Sequence, residues 1–181
     1  MTGHEKTLWI TRTGVMIALL IVMQAATAPL GSTLITGSIV NLLLIVAVMI
    51  GGLTSGLSVA ILSPVIAKLL GIGPLWELIP FIAVGNMVLV LLWHIIGNRN
   101  LKNKLAAPVI ALVTAAVAKF LVLYFGIVVI AIPLLLNLPE KQALVISSLF
   151  SYPQLITATI GGVLALTILP VLKKALRPKQ A

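Results

Sequence analysis

The charged residues of this chain fall almost entirely at the breaks between long apolar runs, and few folds accept such an arrangement. Nine of the twelve Lys and Arg residues occupy three short tracts. These are Lys6 and Arg12 near the N-terminus, the break from Asn98 to Lys104, and the tail from Lys173 to Lys179. Basic residues flanking apolar spans mark the cytoplasmic side of a bilayer, so the pattern predicts an orientation before any fold is known. Three charged residues stand apart from the tracts, inside or at the outer edge of the apolar runs: Lys68, Glu77 and Lys119. Charge in such places is expensive and usually functional.

Composition supports the membrane reading. The chain is 61% hydrophobic and 8% charged, with a mean hydropathy of +1.25, whereas soluble domains are nearer half apolar and about a quarter charged. Its 181 residues suffice for about six spans of roughly 20 to 25 residues with short loops. That leaves no room for a soluble domain, so the expectation is a single all-α integral membrane unit. The net charge of +9 follows from basic cytoplasmic loops. No basic patch interleaved with aromatics is present, so nucleic acid is not an expected partner. Cysteine is absent, which excludes disulfides and thiolate metal sites. The first apolar run is too long and too poorly ended for a cleaved signal peptide and reads as a permanent helix.

Gly and Pro clusters divide the chain into six expected helices, about 8–28, 35–50, 53–70, 76–96, 105–134 and 144–172. Gly51-Gly52 is expected to make a tight turn, and Pro153 to fall inside the sixth helix. The fifth is long enough to be tilted, or kinked near Gly126 or Pro133. An even number of spans places both termini, and all three basic tracts, in the cytoplasm. Lys119 then lies about 21 Å from the inner end of its helix at a 1.5 Å rise per residue. Gln24, Asn41, Trp76, Glu77, Asn86 and the cluster Ser147, Ser148, Ser151, Tyr152 and Gln154 fall in the outer half. A pore would distribute polar groups through the whole depth. Confinement to the outer half predicts a pocket open to the exterior and closed below.

Each candidate has two readings. Lys68 and Glu77, with Trp76 beside them, make either a charged clamp over a ligand or a loop salt bridge with an interfacial anchor. Lys119 is too deep to snorkel easily; an unpaired ammonium there costs at least ~2.5 kcal/mol on insertion scales, so it faces a pocket or a paired partner. Ser151, Tyr152 and Gln154 surround Pro153, which either exposes polar groups to a ligand or bends the helix to fit the bundle. Asn41, Asn86 and Gln24 contact ligand or hydrogen-bond between helices. His94 has no metal-ligand company, and Lys141 in the last outer loop is read as solvated. The pairs Gly14-x-x-x-Ala18 and Gly52-x-x-x-Gly56 allow close helix approach, within the bundle or against another membrane protein. There is no phosphate-binding loop, catalytic triad, paired carboxylate or metal-spaced cluster, so neither an enzyme nor a cofactor is expected.

The short basic N-terminus, the small-residue pair in the first helix and the Gly/Pro-rich outer loops together resemble the substrate-binding (S) component of energy-coupling factor (ECF) transporters. The stretches 36–41, 52–64, 80–86 and 150–162 carry this resemblance. It implies a multi-pass protein of the prokaryotic plasma membrane that captures a vitamin or related micronutrient near the outer face. It further implies a transmembrane coupling subunit and two ATPase subunits as partners. Gly14 and Ala18 match the positions of the family's Ala-x-x-x-Ala docking motif, with Gly in place of the first Ala. On this reading the pocket draws on Lys68, Trp76, Glu77, Asn86, Lys119, Ser151, Tyr152 and Gln154. Lysines facing few acids suit a ligand bearing carboxylate or phosphate, although a pocket this apolar also suits a large hydrophobic one. The alternative class is a self-sufficient small carrier or a homo-oligomeric membrane-assembly protein.

Overall fold

The structure is a computed structural model that describes residues 3–101, 103 and 105–176. Lys102, Lys104, Arg177 and Lys179 of the basic tracts lie outside the described residues. All regular structure among the described residues is helical. Five helical segments are long and apolar enough to cross a membrane.

The first helix, α1 (Gly3–Thr27), is followed by a 3-10 turn over Ala28–Leu30. Gly31 reverses the chain with a φ of 63°, a conformation that glycine adopts without steric cost. Ser32 then caps the next helix, its hydroxyl accepting from the Ile35 N–H at 3.4 Å. The Thr36 hydroxyl donates to Thr27 Oγ1 at 2.9 Å, which ties the end of α1 to the start of its successor.

That successor, α2 (Thr33–Leu69), has 37 residues and would be about 55 Å long if straight, against an apolar bilayer core of about 30 Å. It is not straight. Gly52 has φ 84° and ψ 176°, outside the helical region and open mainly to glycine. A Cβ placed on Gly56 would lie 2.6 Å from Val48 Cβ, whereas eight residues along a straight helix separate by about 12 Å. The segment is therefore a hairpin with two packed arms, 33–51 and 53–69. At the hairpin end, Thr13 of α1 and Ser55 of the second arm share a buried hydrogen bond of 2.7 Å.

The second arm ends in a Schellman-type cap, with Ile72 N–H donating to Ala67 O at 2.8 Å and Gly71 at φ 78°. A 3-10 turn over Trp76–Leu78 leads into α3 (Ile79–Gly97). After the basic break comes α4 (Ala106–Leu123), which continues as a π-helical segment, Tyr124–Ala131, and one further turn, α5 (Ile132–Leu134). The lengthened fifth run thus changes its winding over Tyr124–Ala131, a stretch that includes Gly126.

The last apolar run is two helices, α6 (Glu140–Leu149) and α7 (Tyr152–Ala175). The sequence suggested a single helix over 144–172 with Pro153 inside it. Pro153 stands instead in the first turn of α7, where its missing N–H costs nothing. Its ring would clash with the carbonyl four residues back, that of Leu149, which is where α6 ends. The expected kink is a helix boundary.

Small residues set the helix spacing in the main core. Ala111 and Ala115 of α4 and Ala158 and Ala165 of α7 are buried among Leu44, Ile45, Val59, Val90 and Trp93. A Cβ on Gly161 would lie 2.7 Å from both Asn41 Cβ and the Ser38 carbonyl oxygen of α2. Backbones approach this closely only where one residue has no side chain. A second, smaller cluster joins Leu78, Leu123, Ile127, Ala131, Leu136 and Phe150.

Candidate functional site

Lys119 is the organising residue. It lies one turn before the end of α4 and is only 3% exposed. Its Nζ donates to Asn41 Oδ1 at 2.6 Å and to Asn86 Oδ1 at 2.7 Å. Asn41 comes from the first arm of α2 and Asn86 from α3, and both are buried. Three elements distant in sequence thus deliver one ammonium and two amide oxygens to one point.

The amides are themselves oriented. Asn41 Nδ2 donates to Thr157 Oγ1 at 3.3 Å, and the Thr157 hydroxyl donates to the Gln154 carbonyl at 3.2 Å. Asn86 Nδ2 donates to the Ala60 carbonyl at 3.5 Å. That carbonyl is available because Pro64, four residues on and within the second arm of α2, has no N–H to give it. Each amide therefore spends its donor on a neighbouring helix and keeps its oxygen for Lys119. This is how buried polar groups are satisfied inside an apolar bundle.

The network borders a cavity of about 440 Å³, within the range of small-molecule sites. Its walls come from the 28–33 turn, both arms of α2, the 72–74 turn, α3, α4 and the α6–α7 junction. Lys119, Asn41 and Asn86 line it, and among the described residues Lys119 is the one charged residue that does. Its remaining lining is polar at Gln24, Ser32, Thr33, Thr36, Ser63 and Gln154 and otherwise apolar, including Leu123 and Phe150 of the smaller cluster. The side-chain oxygen of Gln24, also in the wall, is buried without a donor.

The cavity stands at the end of the bundle away from the basic tracts. It is bounded by turns in which α1 ends, the second arm of α2 ends, and α7 begins. The opposite end carries the start of α1, the Gly52 hairpin, the end of α3, the start of α4 and the end of α7.

Of the residues singled out in the sequence, Gln24, Asn41, Asn86, Lys119 and Gln154 line this cavity, and Lys68, Trp76, Glu77, Ser151 and Tyr152 do not. Lys68 is half-buried in the last turn of α2, and Glu77 is exposed. Trp76 is half exposed at 50%, as an interfacial anchor is. The Ser151 hydroxyl donates to the Ser147 carbonyl at 2.6 Å. Tyr152 is largely exposed and stacks on Phe120, with ring centroids 6.5 Å apart. Gly14 and Ala18 are exposed on α1, and a Cβ on Gly14 would meet nothing within 4 Å. Gly56, by contrast, packs against Val48 and Val90 inside the bundle. Sequence reasoning missed Thr157, Ser63 and Pro64. The available signal was Pro64, a proline inside an apolar run, because it frees a carbonyl that some neighbour has to satisfy.

Compared with known proteins, the chain matches no family model, no curated protein and no solved structure.

Proposed function

We propose that this chain is the membrane-embedded capture subunit of an ATP-driven importer of the ECF type. On this reading the hairpin of α2 makes two crossings, so the chain crosses the bilayer six times with both termini in the cytoplasm. The basic tracts set that orientation, and the cavity opens to the exterior. A vitamin or related micronutrient is held there and delivered inward with a transmembrane coupling subunit and two ATPase subunits. The exposed Gly14 and Ala18 give the coupling subunit a flat surface on α1.

The observation that carries the reading is the cavity itself, with its polar groups gathered at one end of an apolar bundle and Lys119 in its wall. Below that network, Trp93, Ala111, Ala115 and Ala165 belong to a closed core. A cup of this kind suits capture better than conduction.

Native mass spectrometry of the detergent-purified chain tests this. The expected result is a monomer retaining one small molecule, and vesicles containing the chain alone that do not accumulate it. A ligand-free homo-oligomer, or uptake by the chain alone, would instead establish the carrier or assembly alternative.

A further inference from the structure

We infer that the ligand of this cavity carries a single anionic group, which Lys119 binds; this rests on the capture reading above. Among the described residues Lys119 is the sole charged one in the lining, and no carboxylate accompanies it there. Its two partners are neutral amide oxygens, which accept hydrogen bonds without cancelling the charge. An ammonium buried in an apolar bundle is strongly disfavoured until an anion joins it. A Lys side chain has three N–H donors, and the two asparagines take two of them. One donor remains for a ligand, on a group that borders the cavity.

The choice of asparagine is the telling feature. Aspartate at position 41 or 86 would have the same shape and would close an internal ion pair, leaving the cavity neutral. The amide donors bound to Thr157 Oγ1 and to the carbonyl freed by Pro64 fix both oxygens towards Nζ. The site thus holds its lysine in place and leaves its charge uncompensated. Lys68 does not border the cavity, so one positive charge is presented and one negative charge is sought. The mainly apolar remainder of the wall selects an uncharged body for the rest of the molecule.

The probes are aromatic and branched aliphatic carboxylates, the primary amide of each, and matching phosphate monoesters. Binding is read by thermal shift and by native mass spectrometry on the full-length chain in detergent. A carboxylate is expected to bind at least about tenfold more tightly than its amide, the scale of one charge-assisted hydrogen bond. A preference for the phosphate monoester would identify phosphate, rather than carboxylate, as the anionic group. Lys119→Met is expected to abolish the difference between acid and amide. Since that substitution also removes a buried network, Asn41→Asp is the second variant. It keeps an oxygen on Nζ, and it is expected to weaken carboxylate binding roughly ten- to a hundredfold and so to narrow the difference between acid and amide.

Equal binding of acid and amide, or unchanged carboxylate binding by Asn41→Asp, would overturn the inference. A co-purified neutral or cationic molecule would also overturn it and leave the capture reading intact. If no molecule is retained and no probe binds, both fall.

Discussion

The two hydrophobic clusters of this protein are built on different rules. The larger one is made of regular α-helices locked by missing side chains: Gly161 against Ser38 and Asn41, Gly56 against Val48 and Val90, Gly162 against Leu112. The smaller one is assembled from a 3-10 turn, a π-helical segment, a one-turn helix and the α6–α7 break. The cavity and the Lys119 network lie where the two meet, with Leu123 and Phe150 of the smaller cluster in its wall. Backbone hydrogen bonding is regular in the first region and repeatedly interrupted in the second. One end of the bundle is thus built to stay fixed and the other to open at lower cost, as π segments and broken helices do, and the proposed capture role draws on the second.

Three experiments test this contrast. The largest effect is expected from Gly161→Val, whose added atoms would run into the Ser38 carbonyl at 2.7 Å and the Leu42 nitrogen at 2.9 Å, both of them backbone. A destabilisation of about 3 kcal/mol or more is expected in thermal unfolding in detergent, because overpacking against backbone cannot relax. Gly126→Ala meets only the edge of the Phe81 ring and should cost less than about 1 kcal/mol, since a ring on an adaptable rim moves aside. Similar losses for the two variants would remove the distinction.

The second measurement is hydrogen exchange. Amides over 124–136 should exchange faster than those over 111–116 in the apo chain, and slow down when ligand binds. Equal protection in the two stretches would show that the rim is as closed as the base.

The smallest effect is expected from Lys68→Gln. Lys68 does not border the cavity, so ligand affinity should change by less than about twofold, within the range of a screened surface charge. A tenfold loss would mean that the rim closes far enough to bring Lys68 onto the ligand.

Much of the course of the chain was legible in its sequence. Gly31, Gly52, Gly71 and Gly73 all take positive φ, at the Gly-containing breaks that mark the helix ends. The depth of Lys119 pointed to a pocket or a partner, and it has both. What could not be read was rotation about each helix axis. In a soluble bundle a polar face shows which side looks outward, but helices apolar all round carry no such mark. Lys68 and Glu77 therefore looked as eligible as Asn86, and Tyr152 as eligible as Gln154. Nor could spacing alone join Lys119 to Asn41, 78 positions earlier, because that meeting depends on how α2 and α4 both pack against α3 and α7. The α6–α7 boundary was not legible because a proline in an apolar run fits a kink inside one helix as well as the first turn of a second.

Pro64 links backbone chemistry to recognition in a way that reaches past its own helix. The hydrogen bond that it cannot make leaves the Ala60 carbonyl open to Asn86, and Asn86 in turn settles which atom Lys119 meets. Restoring an N–H at position 64 would return that carbonyl to the helix and set the Asn86 amide at liberty to turn over, offering nitrogen where it now offers oxygen. A defect in one helix thus works as a latch on an amide that borders the cavity. If the cavity holds an anion as inferred above, its charge preference is open to retuning from α2 with Lys119, Asn41 and Asn86 all left in place.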